Sequence, residues 1–172
     1  MARVLIVAGG CRGRSLGRAL GEGGHAVRIT TRAEAGRAAI EAAGCECFVG
    51  TPDRIATLRY ALEGVTVVCW LLGTATGEPE TVAALHGARL ESILSQIIDT
   101  TVRGVVYEAA GTVEAATLAG GARLVAARAE FNSVPHRRLD ASPADGAAWQ
   151  GAARAAIDDL LGLTPGAAAA DR

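Results

Sequence analysis

An unbroken apolar run that ends in a cluster of glycines, Val4-Leu-Ile-Val-Ala-Gly-Gly-Cys-Arg-Gly-Arg-Ser-Leu-Gly17, constrains this chain more than any other stretch. The run Val4–Ala8 has no polar alternation, which suits a central parallel strand covered on both faces. Gly9, Gly10 and Gly13 let the main chain turn sharply and approach a ligand with no Cβ in the way, while Gly17 lets the following helix pack close to the sheet. A helix opening there presents free N–H groups and a positive dipole end, so the loop predicts a phosphate site.

Beyond that loop, strand-like and helix-like runs alternate along the chain. The strand candidates are Val4–Ala8, Ala26–Thr30, Glu46–Val49, Val65–Leu72, Gly104–Glu108 and His136–Leu139. The helix candidates are Ser15–Glu22, Ala33–Ala43, Arg54–Glu63, Glu80–Ile98, Val113–Phe131 and Ala144–Leu161, and Gly23-Gly24, Gly44, Gly64 and Gly162 supply stop signals. The pattern predicts an α/β fold: a doubly wound parallel Rossmann sheet of six strands in the order 3-2-1-4-5-6, with helices on both faces. The 172 residues are 50% hydrophobic with two each of Trp, Tyr and Phe, so one aliphatic-rich domain over residues 1–162 is expected, followed by a flexible tail over 163–172.

Seventeen basic and 18 acidic residues leave a net charge of −1, which provides no field to draw the chain to nucleic acid or to a membrane surface. All the basic residues are Arg, so lysine chemistry is excluded. Cys11, Cys45, Cys47 and Cys69 lack metal-ligand spacing, so no metal is expected and the thiols read as reduced and structural. No charged leader and no uninterrupted membrane-length segment is visible, and a cytoplasmic location is the expectation.

Ligands of such a sheet bind beyond the strand carboxyl ends, which here carry Gly9–Ser15, Thr31–Arg32, Gly50–Asp53, Leu72–Thr76 and Glu108–Thr112. The second strand ends Arg28-Ile-Thr-Thr-Arg32 with no carboxylate at its tip, where an acidic residue would hold ribose hydroxyls. Arg32 and Arg12, read as facing the same region, suit a 2′-phosphate through bidentate charge-assisted bonds. NADP(H) is therefore the preferred cofactor, with NAD(H) the weaker ligand.

The chain resembles extended and atypical members of the short-chain dehydrogenase/reductase superfamily, including their regulator-like NAD(P)-binding branch. The resemblance rests on Val7–Gly17, Gly24–Arg32, Val49–Leu58, Ala61–Gly73 and Gly104–Gly111. It implies that Gly9, Gly10, Cys11, Arg12, Gly13, Arg14 and Ser15 surround the cofactor phosphates, with Thr31 and Arg32 at the adenosine ribose. It further implies that Thr51 and Pro52, near Asp53, lie by the adenine, and that Leu71-Leu72-Gly73 lies beside the cofactor ribose through backbone contacts, with a close approach at Gly73.

The family's active Ser or Thr falls at Ala109-Ala110, and its Tyr-x-x-x-Lys pair has no counterpart. Glu108 and Thr112, at the exit of the fifth strand, are the remaining catalytic candidates. Tyr107 reads as a packed strand aromatic, Tyr60 lies away from the expected cleft, and Trp70 reads as core. Cys11, at a helix amino end, reads as a small side chain packed under the phosphate loop. His25, His86 and His136 have no partner at ligand spacing and read as surface or helix-packing residues. Two functions fit: an atypical reductase acting on a small-molecule substrate, or a non-catalytic dinucleotide-binding module that reports redox state to a partner. Helices Glu80–Ile98 and Val113–Phe131 offer a face for a homodimer.

Overall fold

Strand β1 (Arg3–Val7) sits at the centre of the sheet because all but its first residue are inaccessible to solvent. The computed structural model describes residues 1–8 and 10–163. Strands β2 (Ala26–Thr31), β3 (Glu46–Val49), β4 (Val67–Trp70), β5 (Gly104–Glu108) and β6 (His136–Leu139) complete one sheet, ordered β3-β2-β1-β4-β5-β6. Every neighbouring pair is parallel, with Val4 opposite both Val27 and Val67. The expected six-stranded doubly wound sheet is therefore the fold of this chain.

The two-residue alternation of strand side chains divides the core between the faces. Val4, Ile6, Val67, Cys69 and Val106 point to one layer with Leu16, Leu20, Trp149 and Ile157. Leu5, Val7, Val68, Trp70 and Tyr107 point to the other, with Leu58, Leu90, Ile93 and Val125. The first layer is built on helices α1 (Cys11–Glu22), α2 (Arg37–Glu41) and α6 (Gly146–Leu160). The second contains α4 (Ala88–Gln96), α5 (Ala115–Phe131) and a 3₁₀ segment, Pro52–Leu62. Edge strands β3 and β6 are only partly covered, and β6 carries exposed Arg137 and Arg138, charges that discourage pairing with another chain.

The helices depart from the sequence expectation more than the strands do. The first begins at Cys11 rather than Ser15, so Gly10 caps it and Gly13 lies in its opening turn. Ala33–Ala43 shortens to a 3₁₀ turn, Glu34–Gly36, followed by α2. Arg54–Glu63 becomes the 3₁₀ segment, bent at Arg54 (φ −124°, ψ 78°) and closed where buried Arg28 of β2 donates to the carbonyls of Ala61 and Glu63. Glu80–Ile98 breaks into α3 (Pro79–Leu85), α4 and a 3₁₀ turn, Ile97–Asp99. The break falls at His86 and Gly87, whose φ of −125° and ψ of −108° are not helical. The long helix expected as half of a dimer face is thus two short ones. Residues 164–172, which hold most of the expected tail, lie outside the described residues.

Candidate nucleotide groove

The carboxyl ends of β1, β2, β3 and β4 surround a cavity of about 360 Å³. Its wall passes from Val7, Ala8 and Gly10 through Thr31, Arg32 and Gly50–Asp53 to Leu71, Leu72 and Thr74–Thr76, with Thr81 and Leu85 of α3 above. This is the crevice at which the strand order reverses, the usual ligand position in a doubly wound sheet. Gly10 stands as the N-cap of α1 with no side-chain cap, and no acidic residue lies in the helix's first turn. An uncapped helix start of this kind leaves amides without an intrahelical acceptor and with the positive end of the helix dipole.

Arg32 is exposed beside the groove, and its guanidinium has no ion-pair or hydrogen-bond partner among the described residues. Next to it the Thr31 hydroxyl donates to the Ala33 carbonyl at 3.1 Å. A Cβ on Gly36 would stand 2.3 Å from that hydroxyl oxygen, so the small residue lets the turn close over β2. On the opposite side Thr51 caps the 3₁₀ segment: its hydroxyl accepts from the Asp53 amide at 3.3 Å and donates to the Asp53 carboxylate at 3.2 Å. Pro52 follows at the first position of that segment, where its missing N–H costs nothing.

The structure brings Gly10, Thr31, Arg32, Thr51, Pro52 and Leu72 together on this groove, but it sends other expected members elsewhere. Gly9 lies outside the described residues. Gly13 packs on the end of β1, where a Cβ would meet the Ala8 carbonyl oxygen at 2.2 Å. Cys11 is exposed rather than packed beneath the loop, and its sulfur accepts from Arg14. Ser15 turns to α6, donating to Gln150 at 2.8 Å.

Arg12 is the largest correction. It does not face Arg32 but crosses to the other half of the sheet, donating to Glu108 at 2.5 Å and to the Thr74 hydroxyl at 2.8 Å. Its guanidinium carbon lies 4.6 Å from the centre of the Trp149 ring, a cation–π arrangement.

Glu108, expected as a catalytic candidate, is instead the hub of a closed network. The side chain is fully buried, one oxygen accepting from Arg12 and from the Trp149 indole N–H at 2.7 Å, the other from the Gly73 amide at 2.7 Å. Gly73 is fixed again as an acceptor by the Val113 amide at 3.0 Å. Gly111, at φ +157°, lies so close that a Cβ there would stand 1.9 Å from the Gly73 oxygen. Thr112 is exposed and lies off the groove. Trp149 went unnoticed in the sequence because its partners are distant in the chain; the one local signal is an aromatic in a helix otherwise rich in alanine.

Tyr107 is packed as expected, its hydroxyl 2.7 Å from His86 Nδ1 and 3.2 Å from the Leu118 carbonyl. His86 is buried, with Nε2 3.2 Å from the Leu72 carbonyl. Burial, the dominant influence, lowers its pKa and so favours the neutral ring, with Nε2–H donating to the Leu72 carbonyl, which can only accept. Burial likewise pushes the Tyr107 hydroxyl well above its ordinary value, with nearby Glu108 adding to the effect. Trp70 is core, its indole donating to the Leu85 carbonyl at 3.0 Å.

The cysteines are free, and burial raises the thiol pKa of Cys45, Cys47 and Cys69. Among the described residues no three His, Cys, Asp or Glu side chains are grouped to hold a metal, and no helix is long and apolar enough to cross a membrane.

No family model matches the sequence, and no curated protein matches it. Solved structures do resemble the fold. Vestitone reductase from alfalfa, Medicago sativa, superposes with a TM-score of 0.63 at 19% identity, over 81% of this chain and 56% of that one. A UDP-glucuronic acid 4-epimerase from Bacillus cereus, solved with NAD, gives 0.63 at 13% identity over 80% and 55%. The Citrobacter triphenylmethane reductase complexed with NADP(H) gives 0.59 at 14% identity over 79% and 48%. The chain spans about half the length of these structures, and at such identities the shared property is the Rossmann fold.

Proposed function

We propose that this chain is an atypical member of the short-chain dehydrogenase/reductase superfamily that binds a nicotinamide dinucleotide in the β1–β4 groove and prefers NADP(H) to NAD(H). The observation that carries the preference is Arg32: a guanidinium without a partner among the described residues, at the tip of β2, where a carboxylate would be needed to hold free ribose hydroxyls. A guanidinium there favours a 2′-phosphate and offers nothing comparable to a neutral hydroxyl. Gly10 and the uncapped first turn of α1 supply amides for the 5′-phosphates, and Thr51, Pro52 and Leu72 line the adenosine pocket.

Binding without turnover is the better supported role. Of the side chains that proton transfer would call on, Glu108 is committed to three donors and Tyr107 to His86, Thr112 is exposed but lies off the groove, and no Lys is present. Calorimetric titration with NADPH and NADH tests the reading. NADPH should bind tighter by about tenfold or more, matching one charge-assisted contact. Binding of neither nucleotide overturns the reading, and tighter NADH overturns the role of Arg32.

A further inference from the structure

A doubly wound sheet consists of two mononucleotide-binding halves, here β1-β2-β3 and β4-β5-β6, and a dinucleotide normally lies across both. In this chain the groove takes in the first half and the end of β4, while the ground over β5 is filled by the protein. All the groove's lining residues come from the ends of β1 to β4, the segments after them and α3; among the described residues none from Glu108–Val113, β6 or α6 contributes.

Over the end of β5, as far as Gly73, the ground is occupied by side chains and backbone already in contact. Gly73 gives its amide to Glu108 and its carbonyl to the Val113 amide, while Gly111 packs directly on it. Arg12 closes the passage between the halves as a bar. One nitrogen holds Glu108, another holds Thr74 at the groove's far wall, and the plane rests on Trp149. A second nucleotide half entering here would have to pull Arg12 from a fully buried carboxylate and leave that charge unpaired. The cavity, about 360 Å³, is also near the small end of the roughly 300–1,000 Å³ range of ligand pockets.

Building on the nucleotide reading above, we infer that the site grips only the adenosine half of its ligand, an adenosine carrying 2′- and 5′-phosphates. The nicotinamide half is left in solvent. The ligand class is set by Arg32, the α1 amino terminus and the Thr51–Asp53 turn, and anything joined to the 5′-phosphates beyond Thr74 adds no affinity.

Competition calorimetry on the unmodified full chain with 2′,5′-ADP, NADPH and nicotinamide mononucleotide decides the matter, together with the nicotinamide fluorescence of NADPH. The expected result is that 2′,5′-ADP binds no more than about threefold weaker than NADPH. Nicotinamide mononucleotide should fail to compete, and NADPH emission should stay that of the free nucleotide. A 2′,5′-ADP affinity weaker than that limit, competition by nicotinamide mononucleotide, or enhanced nicotinamide emission overturns the half-site. Failure of NADPH and 2′,5′-ADP alike overturns the underlying nucleotide reading, a pattern distinct from the others.

Discussion

At the tip of β2 Arg32 stands exposed without a side-chain partner among the described residues, whereas at the tip of β5 Glu108 is wholly buried and saturated by three donors. Both are charged residues leaving a parallel strand toward the ligand edge, yet one belongs to the groove and the other to the core. The difference lies in what surrounds them. Beyond β2 the chain turns away through Ala33 and a 3₁₀ turn and leaves Arg32 in water. Beyond β5, α6 brings Trp149 down on the sheet and α1 brings Arg12 across it. A charged strand end thus lines the groove in one half of the sheet and is an internal brace in the other, and each half should respond to substitution in its own way.

The largest effect should come from Glu108→Ala, which strands the Arg12 charge, the Trp149 indole and the Gly73 amide. A loss of about 3 kcal/mol is expected in urea denaturation, the lower end for a broken buried pair because Arg12 is about a quarter exposed. Glu108→Gln, which keeps acceptors, should lose less. Next, Gly121→Ala should destabilise by about 1–3 kcal/mol in the same assay, because the added Cβ would stand 2.0 Å from the Tyr107 hydroxyl.

Arg32→Ala should do the reverse. NADPH affinity should fall by about tenfold while stability moves by less than about 0.5 kcal/mol. A stability change as large as that of Glu108→Ala would erase the contrast between the halves.

The smallest effect is a pH slope from His86. Burial holds its folded-state pKa below the ordinary 6.5 of the unfolded chain. Below pH 6.5 the unfolded chain therefore takes up a proton that the folded chain resists. Stability is full above that pH and should fall by up to about 1.4 kcal/mol per pH unit as pH drops beneath it. His86→Gln should flatten that part of the profile; an unchanged slope would place its source elsewhere.

The contrast also explains what could be read from the sequence. The sheet was legible because its signals are local: Glu46–Val49, Gly104–Glu108 and His136–Leu139 coincide with β3, β5 and β6, and the strand order follows from parallel connections. The residues that line the open groove could be picked out for the same reason, since Thr31 ends a strand and Gly10, Arg32, Thr51 and Pro52 follow within three residues of one. The filled half could not. Arg12 and Glu108 are 96 positions apart, and Trp149 is 41 from Glu108, so no spacing pattern joins them. The break at His86 was hidden too, because it serves a hydrogen bond to Tyr107, 21 positions away.

Gly121 extends this reading to helix α5. Its missing side chain leaves a notch that receives the Tyr107 hydroxyl, with the His86 carbonyl 3.1 Å from where a Cβ would be. A shift of one residue along the axis, about 1.5 Å, would turn the helix by roughly 100° and present a different residue to the peg. The tyrosine thus works as a locating pin for α5, fixing both its height and its rotation against the sheet in a helix whose small, alanine-rich surface has few other ridges to set its seat.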